Sequence, residues 1–172
     1  MQSCLRLEYR GVNMVVRVGM ADLNVCQVPD TITTLGLGSC VGIVLYDPEK
    51  KIAGLVHIML PDSTQIIHNE NVAKFADTGI MALIKKMVAL GARSNRLIAK
   101  IAGGAQMFGF QSNNELLRVG VRNVEATKKQ LELLRIPIVA EDTGKNYGRT
   151  IEFSPESGIL SIRSVGREIN KL

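Results

Sequence analysis

A cysteine, a histidine and a threonine in the first third of the sequence could together form a hydrolytic site. Cys40 follows the glycine-rich run T-L-G-L-G-S, and His57 lies seventeen residues later in the apolar run I-A-G-L-V-H-I. A cysteine becomes a strong nucleophile beside an imidazolium, which can lower its pKa from about 8.5 to about 3.5–7.5. We therefore predict a thiolate–imidazolium pair in which Cys40 attacks and His57 transfers protons.

A β-hairpin would bring these two residues together. The apolar runs V-G-I-V-L-Y-D and I-A-G-L-V-H-I-M-L-P flank D-P-E-K, which has the Asp and Pro preferences of a type I turn. Pairing Asp47 with Lys50 predicts a register in which Cys40 faces His57, with Cβ atoms about 4.5–5.5 Å apart. A loop with an odd number of residues would shift the register by one and weaken this pairing.

A third residue would have to orient the imidazole. Thr34 lies just upstream of the glycine-rich turn, where a reversal of the chain could bring its hydroxyl or carbonyl group to the far side of His57. A threonine would fix the tautomer and direction of the ring without the charge of a carboxylate. Asp142 is the alternative partner if the C-terminal loop folds over the site.

Backbone N–H groups beside the thiol could complete the site. The glycines around Cys40 would let the chain turn sharply, and N–H groups at Gly38 and Ser39 could bind substrate or hold an oxyanion. A dinucleotide-binding loop is disfavoured, because Val41 stands where G-x-G-x-x-G needs its third glycine and no G-K-[ST] follows. On residue types alone, Cys40 and His57 could also be ordinary core residues.

The composition narrows the kinds of partner. The chain of 172 residues is 46% apolar and carries a formal charge of +5, but only 4% of its residues are aromatic. Scattered Lys and Arg with few aromatic rings argue against nucleic-acid binding, whereas the charge suits an acidic protein partner. Three cysteines without C-x-x-C spacing predict neither a disulfide framework nor a metal site. A charged N-terminus and the lack of a long apolar run predict a cytoplasmic protein without direct membrane insertion.

The elements that must position these side chains are strands at both ends of the chain with two helices between them. Residues 14–34 predict two or three short strands, and apolar positions with helical spacing predict a long helix from Asn71 to Leu90. A second helix is predicted from Asn123, as its N-cap, to Leu134.

The remaining segments complete an α+β fold. Leu97 to Ile101 predicts a buried strand that leads into a turn at Gly103 and Gly104, and the C-terminal third alternates β-rich runs with turn residues. We predict one domain over residues 1–172, in which residues 1–13 form an N-terminal extension of little structure. His68 is predicted to be a solvated loop residue.

Several motifs together resemble one family. They are T-L-G-L-G-S-C-V-G-I-V-L-Y-D, G-L-V-H-I-M-L-P, A-K-I-A-G-G-A-Q-M-F, V-G-V-R-N, I-P-I-V-A-E-D-T-G and G-R-T-I-E-F. In this combination they resemble the CheD family of chemoreceptor glutamine deamidases, over nearly everything after Met14. The resemblance implies a layered α/β sandwich of mixed, largely antiparallel sheets with two main helices.

The resemblance also implies a reaction and its residues. Cys40 would be the nucleophile, His57 the general base and acid, and Thr34 the residue that positions His57. The reaction would hydrolyse glutamine side-chain amides to glutamate and ammonia on the cytoplasmic helices of chemoreceptors, and possible further substrates are glutamyl methyl esters. No metal or organic cofactor is implied, and a CheC-type phosphatase of the response regulator would be a second partner.

The sequence departs from the family pattern in one loop and leaves other functions open. Lys145 in D-T-G-K replaces the second glycine of the common D-x-G-G, which puts the conformation of this loop in question. A non-catalytic module that binds the receptor or the phosphatase is the main alternative function. Another cysteine hydrolase, such as a peptidase or transglutaminase, is a further alternative.

Overall fold

Two sheets and two helices form three layers. A computed structural model describes residues 13–66, 70–107 and 118–172, so residues 1–12 of the predicted extension and His68 lie outside the described residues. The outer sheet, in the order β1-β3-β8-β9-β10, contains β1 (Val15–Val18), β3 (Thr31–Leu37), β8 (Arg149–Ser154), β9 (Ile159–Arg163) and β10 (Asn170–Lys171). The central sheet, in the order β2-β5-β4-β6-β7, contains β2 (Leu23–Gln27), β5 (Ile52–Ile58), β4 (Val41–Asp47), β6 (Ile98–Gly103) and β7 (Ile138–Thr143).

The helices α1 (Ala76–Leu90) and α2 (Val119–Leu133) cover the face of the central sheet that points away from the outer sheet. Each sheet is mixed: β1 runs parallel to β3 and β6 runs parallel to β7, while the other pairs are antiparallel. The predicted layered α+β sandwich of mixed, largely antiparallel sheets with two main helices is therefore confirmed. None of the helices in the described residues is long and apolar enough to span a membrane.

The hairpin of β4 and β5 forms the middle of the molecule. Every residue of both strands is buried, as expected for apolar runs covered on both faces. Alternate residues point to different layers: Val41 and Ile43 pack in the cluster beneath the helices, whereas Val44 packs in the cluster between the sheets. The face between the sheets is the one that matters for the candidate site.

The predicted register of this hairpin is wrong by two residues. Asp47 pairs with Ile52, and Gly42 rather than Cys40 pairs with His57. The loop is longer because the Asp47 carboxylate accepts the N–H groups of the next turn, and Lys51 then adopts a left-handed conformation with φ 51° before the chain returns. Since a shift of two residues preserves the face, Cys40 and His57 become diagonal neighbours on the same face, where such positions are about 7–8 Å apart.

The first helix begins later than predicted. A short 3-10 helix over Val72–Lys74, capped by the side chain of Asn71, precedes α1. Phe75 then adopts an extended conformation and forms a bridge with Leu60, so its ring is 1% exposed and the regular helix starts only at Ala76. Tertiary burial of an aromatic ring thus interrupts a segment whose apolar spacing alone indicated one helix.

The second helix begins earlier than predicted, and Asn123 is not its N-cap. The helix starts at Val119 after Arg118, which places Asn123 inside the helix, where it is fully buried. A mid-helix asparagine is expected to point outwards or to bind a specific partner, because its amide otherwise competes with the backbone. Here the amide binds two carbonyl groups just beyond the open end of the central hairpin, those of Ser39 and Met59.

Candidate active site

The candidate site lies between the two sheets, at the open end of the β4–β5 hairpin. Thr34 comes from β3 of the outer sheet, His57 from β5 of the central sheet, and Cys40 from the connection that links β3 to β4. Thr34 and His57 are fully buried, and Cys40 is 8% exposed. The three residue types predicted from the sequence are therefore contributed by both sheets and by the corner that joins them.

Close backbone contacts hold the Cys40 corner. The corner starts at Gly36, whose φ of 73° is readily accessible to glycine, and the Cys40 carbonyl accepts the Gly104 N–H at 2.7 Å. A Cβ on Gly103 would lie 2.2 Å from the Cys40 carbonyl oxygen, so this approach requires glycine. The predicted turn at Gly103 and Gly104 is thus a support for the backbone of the cysteine.

The hydrogen bonds of Thr34 define the tautomer of His57. The Thr34 hydroxyl donates to the Val18 carbonyl at 2.7 Å and lies 2.8 Å from His57 Nδ1. Because a hydroxyl has one proton and a carbonyl can only accept, Thr34 Oγ1 must accept the hydrogen bond from Nδ1–H. The ring proton is therefore on Nδ1, and Nε2 carries a lone pair.

The other ring nitrogen is left without a partner. Nε2 of His57 is buried and has no hydrogen-bond partner within the described residues. The backbone of His57 is fixed, since its N–H donates to Asp22 and its carbonyl accepts from Ala21, both at 3.0 Å. A rigidly held imidazole with an unpaired lone pair is suited to take a proton from a nearby donor.

Burial keeps both candidate reacting groups neutral. Desolvation lowers the pKa of His57 to about 4 and raises the pKa of the Cys40 thiol, an effect only partly offset by the backbone N–H of Cys40 itself. Among the described residues, neither side chain has a charged partner that would favour ionisation. Both shifts oppose the predicted thiolate–imidazolium pair and favour a thiol and a neutral imidazole in the resting site.

Asp142 does not occupy the position of the orienting residue. Its carboxylate binds the Arg149 guanidinium, with Oδ1 2.9 Å from Nη2, and Arg149 is 2% exposed. Burial alone would raise the pKa of Asp142, but the hydrogen bond and charge of Arg149 lower it below its usual value. Of the two alternatives from the sequence, Thr34 is the one that contacts the His57 ring.

The predicted oxyanion donors differ in availability. The Gly38 N–H already donates to the Gly36 carbonyl at 3.0 Å, and the Gly38 carbonyl accepts from Ala105. The N–H groups of Ser39 and Cys40 make no hydrogen bond to another residue in the described parts of the chain. A role for Gly38 as donor would require a change at this corner, whereas the N–H groups of Ser39 and Cys40 are not engaged by any other described residue.

The sequence analysis missed the contact that Asn123 makes with the site. Its Nδ2 donates to the Ser39 carbonyl at 2.9 Å and to the Met59 carbonyl at 2.8 Å. The motif V-G-V-R-N, which ends at this residue, was the available signal, but its asparagine was interpreted as a helix cap. No group of three or more His, Cys, Asp or Glu residues that could hold a metal ion occurs in the described residues.

Lys145 keeps the loop conformation that a glycine would favour. Its φ is 62°, next to Gly144 with φ 73°, so two consecutive residues are left-handed. The Lys145 carbonyl accepts the Gln106 N–H at 2.8 Å, which ties this loop to the turn beside Cys40. The departure from D-x-G-G thus changes a side chain without removing the loop geometry.

One family model matches more than half of the chain. A family model described as CheD chemotactic sensory transduction matches residues 59–164. The crystal structure of the Neisseria meningitidis protein NMB0706 aligns with 78% of this chain and 63% of its own length, at 8% identity and a TM-score of 0.43. This similarity is too low to support a conclusion about function.

Curated relatives match almost the whole chain. "Probable chemoreceptor glutamine deamidase CheD" of Lachnoclostridium phytofermentans is 68% identical over 92% of this chain and 98% of its own length. "Chemoreceptor glutamine deamidase CheD" of Halalkalibacterium halodurans is 61% identical over 90% and 96%, and that of Bacillus subtilis is 55% identical over 88% and 92%. With the matching family model, these identities show that the chain belongs to the CheD family.

Proposed function

We propose that this protein is a cysteine-dependent deamidase that hydrolyses glutamine side chains to glutamate on the cytoplasmic helices of chemoreceptors. Three relatives of 55–68% identity are named chemoreceptor glutamine deamidases. The observation that carries the proposal is the hydrogen bond between Thr34 and His57, which leaves the Nε2 lone pair free on the face that Cys40 shares. The protein would act in the cytoplasm, where these helices lie.

The first half of the reaction forms a thioester. Nε2 of His57 accepts the thiol proton as the sulfur of Cys40 attacks the amide carbon, so the negative charge moves to the amide oxygen. The N–H groups of Ser39 and Cys40 would hold this oxyanion, while Gly38 stabilises the corner through its hydrogen bonds to Gly36 and Ala105. The imidazolium then protonates the amide nitrogen, the C–N bond breaks, and ammonia leaves.

The second half returns the enzyme to its starting state. Nε2 removes a proton from water as the water oxygen attacks the thioester carbon, and the imidazolium returns that proton to the departing sulfur of Cys40. The product is a glutamate side chain. A glutamyl methyl ester would follow the same course with methanol as the leaving group, so ester hydrolysis is included in the proposal.

Neutral resting groups fit this sequence of steps. With the pKa of His57 near 4, the ring is a proton acceptor throughout the physiological range. Thr34 Oγ1 accepts the hydrogen bond from Nδ1–H in every step and keeps its own proton, which it donates to the Val18 carbonyl, so the ring keeps its direction while Nε2 gains and loses a proton. No metal or organic cofactor takes part in these steps.

The test is conversion of glutamine on a receptor. The cytoplasmic fragment of a receptor from the same organism is incubated with the protein, and glutamine-to-glutamate conversion is mapped by peptide mass spectrometry. We expect conversion by the wild type and by Cys26→Ala, a matched control in which a buried cysteine on β2 outside the site is replaced. Cys40→Ala should give none, and conversion by Cys40→Ala at the wild-type rate would contradict the proposal.

A non-catalytic regulator that binds the receptor or a CheC-type phosphatase is the second candidate. The 8% exposure of Cys40 and its raised pKa favour this function, because both lower the reactivity of the thiol. Binding of the receptor fragment without conversion by the wild type, together with unchanged binding and signalling by Cys40→Ser, would support it. We also propose a CheC-type phosphatase as a second partner of the deamidase. The test is whether the two purified proteins elute as one complex when they are mixed.

A further inference from the structure

We infer that Asn123 is a positioning residue that holds the Cys40 corner against the strand of His57. The inference rests on the proposed function for its effect on catalysis, but its geometry stands on contacts of the described residues. Asn123 is fully buried in α2 and binds one carbonyl group on each of the two elements that carry the reacting side chains.

The bridge begins where the hairpin ladder ends. Val41 and Ile58 form the last pair of β4 and β5. Beyond them, the Met59 N–H turns away to the Lys74 carbonyl at 2.8 Å, so the two strands no longer bind each other directly. The two Nδ2 protons of Asn123 then join the Ser39 carbonyl, next to Cys40, to the Met59 carbonyl, two residues after His57. One side chain thus replaces the missing backbone link.

The helix can reach this position because small residues let it approach the turn behind Cys40. A Cβ on Gly120 would lie 2.5 Å from the Ala105 carbonyl oxygen and 2.6 Å from that of Gly104. Gly120 is three residues before Asn123, so both lie on the same side of α2. This approach seats the first turn of the helix on the 104–105 turn and directs the asparagine into the space between corner and strand.

The two donors of Asn123 satisfy carbonyl groups for which no other donor is seen in the described residues. Asn123 Oδ1 itself is buried and has no hydrogen-bond partner within the described residues. An apolar residue of similar size would remove that unpaired oxygen but would leave the Ser39 and Met59 carbonyls without their donor. The amide therefore binds both carbonyls at once, and in doing so it sets the distance between the Cys40 corner and the strand of His57.

The test compares Asn123→Leu, which removes both donors at similar volume, with Thr127→Val. Thr127 is a matched control, because it lies one turn further along α2, is fully buried, and its hydroxyl has no partner in the described residues. Circular dichroism and thermal melting establish that each variant is folded at the assay temperature. We expect Asn123→Leu to lower kcat about 10²-fold with KM little changed, since small misplacements of reacting groups have effects of this size. Thr127→Val should match the wild type.

A second readout needs no receptor. In a background with Cys4→Ala and Cys26→Ala, the rate of Cys40 alkylation by iodoacetamide should rise about tenfold in Asn123→Leu, because release of the corner exposes the thiol. Asn123→Asp adds a pH signature: its protonated carboxyl can donate one hydrogen bond and its ionised form none, so its kcat relative to the wild type should fall as pH rises.

The outcomes separate this inference from the proposed function. If the wild type converts no glutamine, the proposed function is lost. If alkylation of Cys40 is nevertheless faster in Asn123→Leu than in the wild type and in Thr127→Val, the positioning role of Asn123 remains. Folded Asn123→Leu with the wild-type alkylation rate would overturn the inference, as would a kcat equal to that of an active wild type.

Discussion

Each end of the β4–β5 hairpin buries one polar side chain to the same degree, but the two side chains differ in how many hydrogen bonds they make. At the loop end, the two oxygens of Asp47 accept four hydrogen bonds: from the N–H groups of Glu49, Lys50 and Arg93 at 2.9–3.2 Å, and from the Arg96 guanidinium at 3.2 Å. At the open end, the His57 ring makes one hydrogen bond within the described residues, to Thr34. Both side chains are 0% exposed.

The difference in hydrogen bonding and in charged partners determines which ionisation state is favoured at each end. Burial alone would raise the pKa of Asp47, but its hydrogen bonds and the charge of Arg96 lower it, so the carboxylate stays ionised. Burial without a charged partner lowers the pKa of His57 to about 4, so the ring stays neutral. A fully bound charge stabilises the hairpin, whereas a neutral ring with one unbound nitrogen keeps its capacity to accept a proton.

Substitution of His57, the proposed base, should have the largest effect on activity. His57→Gln retains a polar side chain but removes the proton acceptor, and general acid–base catalysis contributes about 10²–10⁴-fold. We expect kcat for glutamine conversion to fall by that factor while the melting temperature at pH 7 changes little. Conversion is measured by peptide mass spectrometry, and a His57→Gln variant with full kcat would show that the open end of the hairpin is not the catalytic end.

Substitution of Asp47 should have the opposite pattern. Asp47→Ala removes the carboxylate that binds three backbone N–H groups and Arg96, and each donor that stays buried without an acceptor costs about 1–3 kcal/mol, so we expect a loss of several kcal/mol in the free energy of unfolding. Urea denaturation measures this loss. At a temperature where the variant is folded, its kcat should equal that of the wild type, and a large fall in kcat would mean that the two ends are coupled.

The two ends should also lose stability in different pH ranges. Unfolded histidine takes up a proton near pH 6.5, but folded His57 does so only near pH 4. Between these values the unfolded state binds more protons, so the free energy of unfolding decreases as the pH is lowered from 6.5 to 4. The loss attributable to His57 is about 3 kcal/mol.

His57→Gln should remove this loss, which is tested by urea denaturation from pH 7 to pH 4. The pKa of Asp47 is depressed, so its stabilisation is present above its unfolded pKa of about 3.9 and is lost only as pH falls below that value. Equal pH dependence of the wild type and His57→Gln would contradict the assignment of the His57 pKa.

The smallest effect is expected in the loop beside the open end. Lys145→Gly restores the D-x-G-G pattern and relieves a left-handed residue, while Lys145 has a side chain 60% exposed that makes a weak ion pair with Asp142 at 3.7 Å. We expect the variant to be more stable by about 1 kcal/mol, with unchanged kcat. A loss of stability greater than that would show that the Lys145 side chain has a structural role of its own.

Local patterns in the sequence were sufficient for the elements and for the face of the site. The D-P-E-K turn and the register it predicts placed Cys40 and His57 on one face of the hairpin, and this survived a register error because the error was an even number of residues. Thr34 was predicted from its position before the glycine-rich turn, and the structure joins it to His57. The chemical roles of these residues stay predictions until conversion is measured.

Features that depend on distant contacts were not predictable from local pattern. The length of the hairpin loop depends on the hydrogen bonds of the Asp47 carboxylate, and the neutral state of His57 depends on how completely the outer sheet covers it. Asn123 has the local signature of a helix cap, but its partners lie 84 and 64 residues away in the chain. A single sequence contains no direct signal for such contacts.

The most direct test of the account is the protonation state of His57, measured by nitrogen NMR on protein labelled at histidine. The chain has two histidines, so a His68→Gln variant assigns the signals. At pH 7 we predict a neutral ring with the proton on Nδ1 and a bare Nε2, which Thr34→Val should disturb by removing the acceptor of Nδ1–H. A ring protonated on both nitrogens at pH 7, or a proton on Nε2 alone, would contradict the account.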